Sequence, residues 1–276
     1  MVTVFSAYLI REPDGVLIEP GPASAVPAIR EAMAQLGMDD LAYIIPTHIH
    51  VDHAGGSGDL ARLFPRAKVI AHPRGAKHMI DPSSLIESTK MVWGPGYEDN
   101  LGPILPIPES QVKVPDDGEI ITVDSRELQI IYAPGHAPHH MVIFDRSIRG
   151  LFCGEAIGLP GRGVEPVLIP TVAPPSFDQE LYLETMEKLK QLDARSLFFS
   201  HGEVVHEPDR LISQAIENTT AFGDIMLQAM KEGATPDEMS RRIADYASGL
   251  GIELDEIELT MIVGGYAVYY SSKGLA

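Results

Sequence analysis

Runs of apolar, β-branched residues at 2–10 and 16–18 flank Pro13-Asp14-Gly15, so the chain is expected to open with a hairpin. Over 27–36 the apolar positions change to helical spacing, with Ile29, Met33 and Leu36 on one side and Gly37 behind them, which predicts a helix with a glycine stop. The continuous apolar run 41–45 predicts a buried strand. Pro46 ends it and releases the chain into Thr47-His48-Ile49-His50-Val51-Asp52-His53-Ala54-Gly55-Gly56, ahead of a second helix at 58–64. Short strands are expected at 67–71, 119–123, 128–132, 141–145, 151–153 and 196–200, with a helix at 179–192. After Pro208 the patterning is helical only, over 208–231, 235–250 and 254–273, and Thr235-Pro236-Asp237-Glu238 is a capping box with proline at the first helical position. Residues 81–118 are rich in Pro and Gly and show little periodicity beyond a turn or two near 84–91. They carry Leu85, Met91, Trp93, Tyr97 and Ile104, so the stretch reads as a lid or pocket wall rather than a free linker. Strands alternating with helices and then helices alone predict an α/β body over 1–207 and a helical extension over 208–276.

Composition narrows the class. With 45% hydrophobic and 22% charged residues the chain is globular, and its net charge of −18 would repel polyanions, which sets nucleic acid aside as a partner. No apolar run reaches the roughly 18 to 20 residues of a membrane span, and 261–270, the best of them, contains two glycines. The first ten residues are largely apolar but lack a basic leader and a small-residue cleavage site, so a cytoplasmic protein acting on a small molecule is expected. Cys153 is the single cysteine, which excludes a disulfide framework and a thiolate zinc cluster; any metal would be held by His and carboxylate.

Such ligands are concentrated in His48-x-His50-x-Asp52-His53. An extended loop puts His48 and His50 on one side and lets Asp52 and His53 turn to a second point, which suits two adjacent cations, and the absence of thiolates fits a catalytic site. Two metals need further ligands, and Pro134-Gly135-His136, Gly154-Glu155-Ala156 and Ser200-His201-Gly202 each follow a predicted strand, where an α/β scaffold presents its site residues.

Taken in order over residues 2–205, these segments resemble the metallo-β-lactamase superfamily. The resemblance implies an αββα sandwich with a dinuclear site at one edge, to which this chain adds the helical extension. It implies His48, His50 and His136 on the first metal and Asp52, His53 and His201 on the second. The bridging acid falls at Glu155, where the family usually has Asp. The extra methylene opens the bridge, makes it monodentate, or moves the preference from zinc, the first expectation for both divalent ions, towards iron or manganese. Glu19, in Leu17-Ile18-Glu19-Pro20-Gly21, matches a segment where the family commonly has an acid supporting the site. His140 is expected to support a ligand by hydrogen bonding or packing. His139 is either substrate-facing or structural; His72, His78 and His206 are read as structural and Cys153 as a small buried hydrophobe.

A divalent pair makes hydroxide available near neutral pH and polarises a carbonyl or phosphoryl oxygen, with Asp52 placed to orient the water and hand a proton to the leaving group. Hydrolysis of an ester, thioester, lactone or phosphodiester follows. The acidic net charge argues against the nuclease branch, and the lack of a Lys/Arg cluster near the C-terminus argues against glutathione thioesters. Two alternatives stay open: a mononuclear iron persulfide dioxygenase built on His48, His136 and Glu155, and a sensor that keeps metal without turnover. The apolar stretch 262–270 is a candidate homodimer surface or is buried against the body.

Overall fold

The computed structural model describes residues 5–161 and 166–276. The chain divides into two units, the first running to Tyr132 and resuming over His139–Gly154, the second comprising Ala133–Pro138 and Glu155–Ala276.

In the first unit, β1 (Tyr8–Ile10) and β2 (Val16–Ile18) make the expected antiparallel hairpin, with Tyr8 opposite Ile18. Residues 2–4 of the predicted strand lie outside the described residues. Helix α1 (Val26–Leu36) buries Ile29 and Met33 and stops where Gly37 turns left-handed at φ 65°. Strands β3 (Tyr43–Ile45), β4 (Lys68–Ile70) and β5 (Val112–Lys113) extend the sheet in parallel from β2. Parallel pairing forces crossovers between strands, and α2 (Val51–Ala54) and α3 (Ser57–Leu63) lie in the one from β3 to β4. The strands are buried on both faces, so Leu17, Ile18, Ile44, Ile45, Val69 and Ile70 form continuous apolar runs without alternation.

The stretch expected to be irregular contains α5 (Ser83–Trp93) and α6 (Glu98–Leu101), and α4 (Pro73–Ile80) runs up to its start. Its Pro and Gly residues mark helix ends: Pro82 precedes α5, Gly94 ends it and Gly102 ends α6. Leu85, Tyr97 and Ile104 join the core of this unit, while Met91 and Trp93 stay exposed, at 80% and 47%. Four strands of a second sheet, each antiparallel to the next, complete the unit: β6 (Ile120–Val123), β7 (Arg126–Tyr132), β8 (Met141–Asp145) and β9 (Gly150–Gly154).

His72 caps α4, its Nδ1 accepting the Arg74 N–H at 3.0 Å. Burial first, and then the Arg74 charge, push its pKa down to about 4, against a smaller opposing pull from Asp117. The native state therefore holds His72 neutral while the unfolded chain takes a proton at its ordinary value. The resulting stability is complete above pH 6.5 and is lost as pH falls towards 4, about 2 kcal/mol once solvent screening is allowed for. Denaturant titrations across that window should show a shallower pH slope for His72→Asn, which keeps a capping oxygen; an unchanged slope would assign the acid sensitivity to other groups.

The second unit holds β10 (Leu159–Pro160) and β11 (Leu168–Ile169), α7 (Gln179–Lys190), the hairpin of β12 (Ser196–Phe199) and β13 (Val204–His206), and then α8 (Pro208–Lys231), α9 (Pro236–Gly249) and α10 (Glu256–Ser272). The capping box at Thr235 and Glu238 is formed, and Asp255 with Glu258 makes another. The extension shares a unit with the segments that carry His136, Glu155 and His201, because α8 packs on α7 and β11. Ile262, Val263, Tyr266, Tyr269 and Tyr270 bury one face of α10, with the Tyr266 hydroxyl donating to the Thr219 carbonyl at 3.0 Å, whereas Ile257 and Val268 remain exposed. No helix among the described residues is long and apolar enough to cross a membrane.

Candidate metal centre

In the first unit the site residues follow the carboxyl ends of parallel strands. Glu19 comes directly after β2, and Thr47 and His48 come two and three residues after β3. Glu19 is 3% exposed and takes a left-handed conformation, φ 58°, unusual for a side-chain-bearing residue. That turn aims its carboxylate back at the loop, where Oε1 accepts the Thr47 N–H at 2.8 Å and Oε2 lies 2.5 Å from His53 Nδ1. A proton on His53 Nδ1 is what Glu19 can accept, and Nε2 lies 3.7 Å from Asp52 Oδ2. His50 is extended, ψ 149°, ahead of the single helical turn of α2 that carries Asp52 and His53, and the His53 ring lies 4.0 Å from that of His48.

His48 is held from behind and points at its neighbour. Its Nδ1 lies 3.1 Å from Thr47 Oγ1 and its Nε2 2.9 Å from His50 Nδ1. His140, fully buried, stacks on the His48 ring at 4.8 Å. His139 stands edge-on to His50 at 5.6 Å. Gly154 turns left-handed behind these rings, and a Cβ there would fall 2.5 Å from Thr47 Oγ1 and 2.8 Å from His140 Nε2. Only glycine lets the strand end pass this close.

The second unit pairs His136 with Glu155. The Nδ1–H of His136 donates to the Thr171 carbonyl at 3.0 Å, and Nε2 lies 3.0 Å from Glu155 Oε2. The Glu155 carbonyl accepts from Tyr182 Oη at 2.8 Å and Thr171 Oγ1 at 2.9 Å. Burial raises the Tyr182 pKa, so this phenol stays a donor at all working pH values. Thr171 thus fixes the ring of one ligand candidate and the backbone of the other. His201 is half-buried, two residues past β12.

An imidazole lone pair aimed at a carboxylate 3.0 Å away is stable only with a proton or a cation between them, and two imidazole nitrogens at 2.9 Å pose the same requirement. The donor set of imidazole and carboxylate without thiolate fits divalent metal. Sequence reasoning missed Thr171 and Tyr182, which carry no motif and lie far along the chain from the residues they hold. His78 and His206 bond Ser84 and Ser196 on the exposed surface, as structural residues do.

Residues 4–201 match the metallo-beta-lactamase superfamily model, and the chain belongs to that superfamily and has its fold. Among its relatives is the metallo-beta-lactamase fold-containing protein ST1585 of Sulfurisphaera tokodaii, 30% identical over 77% of this chain and 79% of that one. The solved ST1585 structure matches with a TM-score of 0.65 at 26% identity, over 78% of this chain and 80% of that one. TTHA1429, a metallo-beta-lactamase family protein from Thermus thermophilus, matches 98% of this chain and 89% of its own at a TM-score of 0.72 and 20% identity. An atrochrysone carboxyl ACP thioesterase of Aspergillus fumigatus is 25% identical over 88% of this chain and 63% of its own length.

Proposed function

We propose that this protein is a metal-dependent hydrolase in which His48, His50, His136 and Glu155 serve one divalent ion and Asp52, His53 and His201 serve a second. One observation carries the reading. Each of His48, His53 and His136 has one ring nitrogen tethered, to Thr47, Glu19 and Thr171 respectively, and the other facing a ligand-type atom. That is how a protein fixes tautomer and direction for coordination.

Two bound divalent ions supply acidified water and polarise the oxygen of a scissile carbonyl or phosphoryl group. The chain's own part is orientation and proton handling: Asp52 would take the proton of the attacking water on its carboxylate and deliver it to the leaving group. Zinc is the expected metal, and the longer side chain of Glu155 admits iron or manganese. The thioesterase among the relatives supports an ester or thioester before a lactone or phosphodiester, and the net charge of −18 disfavours nucleic acid. The exposed Ile257 and Val268 leave α10 as the proposed contact of a homodimer.

Zinc-, manganese- and iron-loaded protein should hydrolyse at least one member of a panel of esters, thioesters, lactones and phosphodiesters under nitrogen. Oxygen consumption on a persulfide by protein holding one iron, with no hydrolysis in the panel, would replace this reading with the dioxygenase.

A further inference from the structure

We propose that His72 is a substrate-positioning residue, donating a hydrogen bond from Nε2–H to a carbonyl oxygen on the acyl part of the substrate. Three features of the first unit place it. Thr47, the residue before His48, and His72 each stand two residues past the ends of the parallel neighbours β3 and β4. Adjacent strands are about 4.8 Å apart, so the two residues leave the same sheet edge side by side. The first turn of α4 also abuts the ligand loop: a Cβ on Gly75 would lie 2.7 Å from Ile49 Cγ2 and 3.6 Å from His139 Cβ, and Gly75 N–H donates to the His72 carbonyl at 2.8 Å.

The tautomer is fixed as well. Nδ1 accepts the Arg74 N–H, so the single proton sits on Nε2, and the ring leans on Tyr132 at 4.3 Å between centroids. Nε2 has no hydrogen-bond acceptor among the described residues, although His72 is only 7% exposed. Nε2 is not among the fully buried polar atoms without a partner, so this donor stays within reach of an arriving acceptor at the edge bearing the ligand loop. The donor is neutral near pH 7, which favours a carbonyl oxygen over a requirement for an anion.

This assignment rests on the hydrolase reading for the kind of molecule bound, so its test measures binding, without turnover. The probes are acetoacetate and butanoate, which differ by one carbonyl oxygen, titrated calorimetrically into metal-loaded full-length protein. His72→Asn keeps the helix-capping acceptor and loses the far donor, whereas His72→Gln keeps a far donor and loses the cap. Acetoacetate should bind wild type and His72→Gln about five- to tenfold more tightly than butanoate, and His72→Asn should bind the two equally. A purely structural His72 gives a lower Tm in His72→Gln and an unchanged probe ratio in His72→Asn, which overturns the proposal. Equal or absent binding of both probes to wild type overturns it too.

Discussion

His53→Ala should lower hydrolysis by roughly a thousandfold, the loss expected when about 4 kcal/mol of transition-state stabilisation disappears with a metal ligand. The same change strips the buried Glu19 carboxylate of its 2.5 Å partner, and breaking a buried pair costs about 3–5 kcal/mol of stability, so activity has to be compared at temperatures where the variant is folded. Glu19→Gln separates the two effects. Its one amide oxygen can keep only one of the two bonds, to Thr47 or to His53, and the NH2 group faces the other; the charge that makes His53 a stronger ligand is lost, so metal affinity should fall about 10- to 100-fold, with a smaller loss of stability than in His53→Ala. Kinetics together with circular dichroism melts decide the matter. A His53→Ala protein that stays folded and keeps more than a tenth of wild-type turnover would contradict the role given to this residue.

Gly135→Ala should be one of the more damaging single methyls among the described residues. Gly135 has φ 133°, and the added Cβ would fall 2.3 Å from Tyr182 Cα and 2.6 Å from both its N and its Cβ. These are backbone and near-backbone atoms of α7, which also receives the chain through the bond from Asp178 N–H to the Gly135 carbonyl at 2.9 Å. No flexible side chain can yield, so α7 has to move, and with it Tyr182, which holds Glu155, and the loop that carries His136. A loss of about 4 kcal/mol, seen as a Tm drop of about 10 °C, is expected. Gly37→Ala is the control: its φ, 65°, is positive too but lies in the left-handed helical region, no atom stands within 4 Å, and the change should cost only about 1 kcal/mol. Similar melting points for the two variants would show that Gly135 and α7 are not packed as described.

Much of this was legible in the sequence because the signals were local. The ligand motif sits in ten consecutive residues, and Gly37 and Thr235 with Glu238 mark helix ends by chemistry that acts within one turn. The three C-terminal helices follow from period alone. Other features were not legible because their causes are distant. Helices α4 and α5 were hidden by the Pro and Gly that punctuate them, and their stability comes from burying Met79 and Leu85 in a core whose other half lies elsewhere in the chain. Glu19 was only a weak candidate until its left-handed turn placed both carboxylate oxygens. Thr171 and Tyr182 act through a backbone carbonyl and a hydroxyl, groups that every sequence offers in abundance, so only the fold distinguishes them. His72 looked like a structural histidine, and its cap to Arg74 is structural; its place past the end of β4, next to β3, comes from the fold.

Side chains from separate stretches are proposed to hold a pair of cations. Chelator-treated protein titrated with zinc in a calorimeter, with metal content counted by mass spectrometry after desalting, tests it most directly. Two ions per chain, falling to one in His53→Ala, is the predicted result; a wild-type chain that retains one ion or none would contradict it.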